Sequence, residues 1–373
     1  MSVAAALIPL AILALNPSAR GQTNAADSSS SSGPFVGQAS CSSSGCHGGA
    51  GEKRNTCIQF NKLDFHTRSY ATLTLARSAG IAANLDISDP AQSARCTVCH
   101  APFQTLAVSA LEKALDPVAG VSCESCHGPA RNWLLSHTRP DYTHQDRVHA
   151  GMRDLDSLYA RANTCVACHQ NVDPDLLQAG HPELIFELDG QSVTEPKHWR
   201  EKPGWSGPQT WLVGQAVALR EMSWQLAGES SPSTNALNRQ AALAWLLQTA
   251  LKGGDASAAL TAEQVQHWSD QLARDTASAA WSAMDTTKNL DLLAGTAADF
   301  RDTAVSRAEQ GRRAERLVLA LDRLVEGLDD AAAAKRLDAP LAQLFKDSQS
   351  LPDFDPQIFA GHLEVFQKAL TGT

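Results

Sequence analysis

No cysteine occurs after position 168, and only His267 and His362 among the twelve histidines lie beyond position 198. Whatever thiols and imidazoles do here belongs to the first two hundred residues. Methionine is scarce: Met1, Met152, Met222 and Met284 are the whole complement, and Met152 alone falls within the body of that cysteine-bearing half. Positive charge is in deficit, with 31 Lys and Arg against 40 Asp and Glu and a formal net charge of −9. This excludes a nucleic-acid partner, which would call for a basic face to displace counterions. Long apolar runs are missing after the first fifteen residues, so no integral membrane span is expected in the mature chain, because a spanning helix needs about 20 apolar residues.

The opening MSVAAALIPLAILALNPSA carries no Lys or Arg, and its apolar run from Val3 to Leu15 ends in small and turn-forming residues. It is too short to cross a bilayer and has the length of a secretory h-region. Residues 1–25 therefore read as a signal peptide, with Ala19 or Ala25 before the cut, and export to the periplasm or a similar compartment is expected. The run DSSSSSGP at 27–34 cannot bury enough apolar surface to fold by itself, so 26–36 read as a Ser-rich linker.

Six of the nine cysteines stand in three copies of one pattern, CTVCH at 96–100, CESCH at 123–127 and CVACH at 165–169. Two thiols three positions apart can add to the two vinyl groups of one haem, and the following histidine is then placed beneath the iron. Paired cysteines also build zinc sites and disulfide frameworks, but neither calls for a histidine behind every second sulfur. Cys96 and Cys99, Cys123 and Cys126, and Cys165 and Cys168 are thus expected to hold haem c, with His100, His127 and His169 as proximal ligands. In CSSSGCH, Cys41 and Cys46 have four residues between them, with His47 next. The porphyrin fixes the vinyl separation, so the small residues 42–45 must loop outward if these cysteines hold a fourth haem on His47. A disulfide between Cys41 and the leftover Cys57 is the competing reading; otherwise Cys57 is a buried structural thiol.

With methionine nearly excluded, histidine must supply the second axial ligands. Six remain for four positions: His66, His137, His144, His149, His181 and His198. His66, His137 and His181 are the leading candidates. His144 and His149 compete for the fourth place, with His149 taken as its candidate and His198 behind them. Most irons are then bis-histidine, closed and suited to passing electrons.

The fold class expected is mainly α: a compact multihaem cytochrome c domain over 37–206 with little regular β, then an α-helical, bundle-like domain over 207–373. The first is rich in turn formers, so porphyrins would make its core. In the second, Ser233 or Thr234 and Gly253 bracket one helix, Thr261 and Gln264 form a capping box, and Asp355 with Pro356 starts another helix. Leu317, Leu321, Leu324 and Leu328 form an apolar stripe. Five to seven helices are expected there, with Trp211, Trp224, Trp245, Trp268 and Trp281 as core anchors.

With FHTRSYATL, CTVCHA, GVSCESCHGP, RANTCVACH and AGHPEL in order, the stretch from about 37 to 205 resembles the multihaem cytochromes of the cytochrome c-554 family. The resemblance implies an exported tetrahaem unit with closely stacked porphyrins that carries electrons for nitrogen or related redox chemistry. It also implies that the positions matching His66, His137 and His181 are distal ligands and that one haem stays five-coordinate, the one on His100 unless His144 or His149 closes it. The wide Cys41/Cys46 spacing, Cys57 and the long helical C-terminal region depart from the pattern. Two functions follow as alternatives: an electron carrier, or an oxidoreductase acting on a small nitrogen or sulfur compound at an open haem. The C-terminal helices read as a docking or oligomerisation module. An acidic chain bearing haem propionates would attract a basic redox partner.

Overall fold

The computed structural model describes residues 33–190, apart from 53 and 114, together with 197–251, 261–349 and 351–372. The signal segment, most of the linker and the Gly253 helix stop lie outside the described residues.

The N-terminal half is a chain of short helices joined by turns: α1 (Thr56–Leu63), α2 (Ser69–Thr72), α3 (Ala76–Ala83), α4 (Ala94–His100), α5 (Cys123–His127), α6 (His144–His149), α7 (Leu158–His169) and α8 (Pro174–Gln178). Among the described residues the sole β feature is one isolated parallel bridge, Phe35 to Leu111. Glycine sets a key turn. Gly128 follows α5 with φ of 81°, a left-handed conformation that L side chains rarely adopt, and a Cβ there would lie 3.0 Å from the Gly151 carbonyl. Apolar packing is thin here, and one small cluster consists of Val36, Ala130 and Trp133.

The C-terminal half is built differently. Seven α-helices are described: α9 (Gly207–Gly228), α10 (Thr234–Leu251), α11 (Ala262–Ser278), α12 (Ala283–Ala294), α13 (Arg307–Glu326), α14 (Ala331–Ser348) and α15 (Pro356–Thr371). Their ends are local chemistry. Ser233 Oγ accepts from Ala236 N–H at 3.2 Å. The Thr261/Gln264 box closes both ways, at 2.8 and 3.2 Å, and Asp355 accepts from Gln357 and Ile358 ahead of Pro356. On α13, Leu317, Leu321 and Leu324 are fully buried, and Leu328, just past the helix end, packs at the edge of the same core. Helix α9 lies at its centre, with Trp211, Val213, Ala216 and Val217 wholly buried. Four of the five tryptophans serve this core; Trp224 does not, being 48% exposed near the end of α9.

The two halves share apolar packing, since Ala162 and Val166 of α7 belong to the same core as α9. A polar knot ties them too: Asp270 of α11 accepts from Tyr159 at 2.7 Å and pairs with Arg220 of α9 at 2.6 Å and with Arg274 at 2.8 Å. Burial raises the Asp270 pKa, but the hydrogen bonds from Tyr159, Arg274 and Arg220 outweigh it and hold it at about 2, below the ordinary 3.8. A depressed carboxylate pKa stabilises the fold fully above pH 3.8 and loses that contribution as pH falls through about 2. Asp270→Asn is expected to lower stability at neutral pH by about 2 kcal/mol and to flatten this acid limb, as read by urea melts between pH 2 and 7.

Candidate haem site

Each C-x-x-C-H motif forms a short helix or ends one, which brings both cysteines and the histidine to one side of a single turn. CTVCH closes α4, CESCH is α5, and CVACH closes α7. A capping box starts α5, with Ser122 N–H donating to Ser125 Oγ at 3.1 Å. CSSSGCH reaches a similar closure without helix. His47 N–H donates to the Cys41 carbonyl at 3.1 Å while residues 42–45 bulge into solvent. No disulfide joins Cys41 to Cys57, for both are free thiols. Cys57 is buried at 4% exposure and accepts from Gln38 Nε2 and Asn61 Nδ2, each at 3.5 Å.

The motifs associate in twos. Cys41 lies close enough to Cys123, and Cys99 to Cys168, for each thiol to shift the other's pKa, so the first motif neighbours the third and the second the fourth. Glu124, inside CESCH and 1% exposed, locks the first of these associations. Its carboxylate accepts from Val36 N–H at 3.0 and 3.1 Å, Gly37 N–H at 2.7 Å and Ala130 N–H at 2.7 Å.

The histidines also meet in pairs. The rings of His47 and His137 have centroids 6.1 Å apart and planes 18° apart; those of His66 and His169 are 5.7 Å and 83° apart. An imidazole nitrogen sits about 2 Å from a transition metal, so two rings on opposite sides of one ion have centroids about 6 Å apart. His181 is near enough to His100, and His198 to His127, to lower the pKa of the proximal partner by charge repulsion. Burial is the larger cause in both. Burial also drives His127 and His169 down to about 4, which keeps them neutral at pH 7, the form that ligates a metal.

Outer hydrogen bonds set the tautomers. Nδ1–H donates to the Ser69 carbonyl from His100 at 3.1 Å, to the Trp133 carbonyl from His137 at 3.1 Å, to the Pro182 carbonyl from His181 at 2.9 Å, and to Asp64 from His66 at 2.8 Å. His47 Nδ1 lies 2.9 Å from Thr56 Oγ1. With Nδ1 carrying the proton, the lone pair is on Nε2, the nitrogen a metal takes.

His144 and His149 are spent otherwise. Both are exposed, with Nε2 of His144 3.1 Å from Asp154 and Nε2 of His149 3.2 Å from Gln145. The structure does not bring His149, the candidate for the fourth distal place, to any proximal histidine. His198 lies within electrostatic reach of His127 instead, half-buried, edge-on to Phe60 at 5.7 Å, with a buried Nδ1 that has no hydrogen-bond partner. Its signal in the sequence is the aromatic and charged word PKHWR, which Arg161 and Trp199 anchor through Glu201 at 3.0 and 2.8 Å. Glu124 and Asp64 were also missed; an acid inside a haem motif, or two residues before a ligand histidine, is the signal.

The donor set fits haem. Phe65 and Leu135 stand one and two residues from His66 and His137, and the polypeptide alone leaves both exposed. That is the apolar surface a porphyrin face covers.

Paired cysteines each followed by a buried or half-buried histidine, with a second imidazole against two of these histidines and within electrostatic reach of the other two, are the donor set of a c-type cytochrome. In keeping with this, residues 34–128 match the family model of cytochrome c554 and c-prime. The match takes in the motifs ending at His47, His100 and His127, and stops before the fourth motif and the C-terminal helices. Neither the curated proteins nor the solved structures contain a match to the chain.

Proposed function

We propose that the protein is an exported electron-transfer cytochrome carrying four covalently bound haems, each held by two histidines: His47 with His137, His100 with His181, His127 with His198, and His169 with His66. The observation that carries the reading is the pairing itself, above all the two ring pairs at 6.1 and 5.7 Å. Haem supplies reversible one-electron storage; the chain's residues close both faces of each iron and keep small molecules off it. The motif contacts also order the centres. Cys99 lies near Cys168, the His66 and His198 ligands repel each other, and Cys41 lies near Cys123. Electrons would pass from the His100 haem to those on His169, His127 and His47, or in reverse.

Catalysis at an open haem on His100 loses its footing where His181 closes that iron. The test is a haem count by mass on the purified holoprotein with the spin state of each iron. Four haems, all low-spin, are expected, and His198→Ala is expected to turn one iron high-spin and able to bind carbon monoxide. A colourless protein with intact thiols or zinc would overturn the reading, and a high-spin iron in the unaltered protein would favour the oxidoreductase.

The acidic chain is expected to be reduced by a basic partner at a rate that falls steeply with ionic strength. Stopped-flow reduction across a salt series checks this; a flat profile would point to a neutral docking face.

A further inference from the structure

We infer that α9, α10 and α13 of the C-terminal half form a clamp on the segment 183–189 that sets His181 on the iron of the CTVCH haem, with Gly214, Gln215, Arg312 and Arg316 as positioning residues. The inference rests on the ligand pairing proposed above.

The segment ELIFELD runs between the helices with Phe186, Glu187, Leu188 and Asp189 all buried. Two buried acids in four residues are costly unless something in the interior answers them. What answers is a row of arginines from α13. Arg312 pairs with Glu183 at 2.9 Å and Arg323 lies 3.8 Å from Asp189, while Arg316 acts on Glu187 through charge alone: both its Nη atoms and Glu187 Oε2 are buried without a hydrogen-bond partner, and burial still pushes the Glu187 carboxyl up to about 8. Helix α10 adds Arg239, whose Nη2 donates to the Leu184 carbonyl at 2.7 Å. Helix α9 adds Gln215, whose Nε2 donates to the Phe186 carbonyl at 2.8 Å and to Glu187 at 2.7 Å. At Gly214 the helix comes so close that a Cβ would lie 2.7 Å from the Leu188 Cβ.

An apolar strap could slide in an apolar groove; one whose Glu183 is paired with Arg312 and whose backbone carbonyls are held by Arg239 and Gln215 cannot. A slip of one residue would press Phe186 or Leu188 against a guanidinium and carry each acid away from its arginine. It would also move His181, two residues before Glu183, by about 3.3 Å along the chain, more than the length of a metal–nitrogen bond of about 2 Å. The register of the strap thus decides whether His181 reaches its iron.

The test uses full-length holoprotein. Arg316→Met removes the central charge, and Gly214→Ala wedges the strap at Leu188. Arg312→Gln, at the end nearer His181, keeps the test readable if loss of Arg316 unfolds the chain. His181→Ala is the reference. Haem count, helical content by circular dichroism, high-spin signal and carbon monoxide binding by the reduced protein are read on each. The clamp variants are expected to keep all haems and their helices while gaining the high-spin, carbon monoxide-binding iron of His181→Ala, up to one per molecule. If the folded variants stay wholly low-spin while His181→Ala opens one iron, the clamp is wrong and the ligand pairing stands. If His181→Ala itself opens none, the pairing at His100 is wrong and the clamp falls with it.

Discussion

A chain ending at residue 206 is expected to yield little soluble, fully haem-loaded protein. The cut removes the helices that cover Val166, Phe186 and Leu188, which are at most 2% exposed in the intact chain. Fully burying such side chains is worth about 1.5–3 kcal/mol each, so uncovering three forfeits about 5–9 kcal/mol, comparable with the whole stability of a typical domain at about 5–15 kcal/mol. The cut also strands Glu187 and Asp189 without Arg316 and Arg323, and Tyr159 without Asp270. Haem-stained yield and sedimentation of the truncated chain against the full one check this. Full yield with every iron low-spin would show that the N-terminal half needs no such cover.

Glu124→Ala is expected to be the most damaging single change near the haem motifs. It leaves three buried amides, of Val36, Gly37 and Ala130, without an acceptor. Each orphaned donor costs about 1–3 kcal/mol, so a loss of at least about 3 kcal/mol is expected, together with parting of the first motif from the third. Glu124→Gln retains one acceptor oxygen and is expected to lose less. Denaturant melts followed by the haem absorption band measure both. Equal stability of the alanine variant and the unaltered protein would mean that solvent reaches these amides.

What the sequence discloses here tracks how local each cause is. The proposed covalent attachment would confine both sulfurs and the proximal histidine to a handful of residues, so the motifs ending at His100, His127 and His169 are plain in the text. The caps at Ser233, Thr261 and Asp355 are equally local, since each side chain answers an amide two or three residues on. Distal partners are another matter. That His137 comes to His47, or His198 to His127, depends on turns far apart in the chain, and no periodicity encodes it. One local clue was readable: Gln145 precedes His149 by four residues on α6, the spacing at which it takes the ring nitrogen. The buried acids Glu187 and Asp189 look like surface residues in sequence because Arg316 and Arg323 lie more than a hundred positions further along.

The contact between Val36 and Glu124 spans 88 positions, and that distance bears on biogenesis. If the chain is exported as proposed, it presents CSSSGCH first and CESCH long afterwards. The earliest cysteines to emerge must therefore wait, reduced and unsheltered, until the carboxylate that organises their surroundings arrives. On the proposed function, maturation is then a race between haem ligation and thiol oxidation, and the N-terminal site is the one most exposed to losing it.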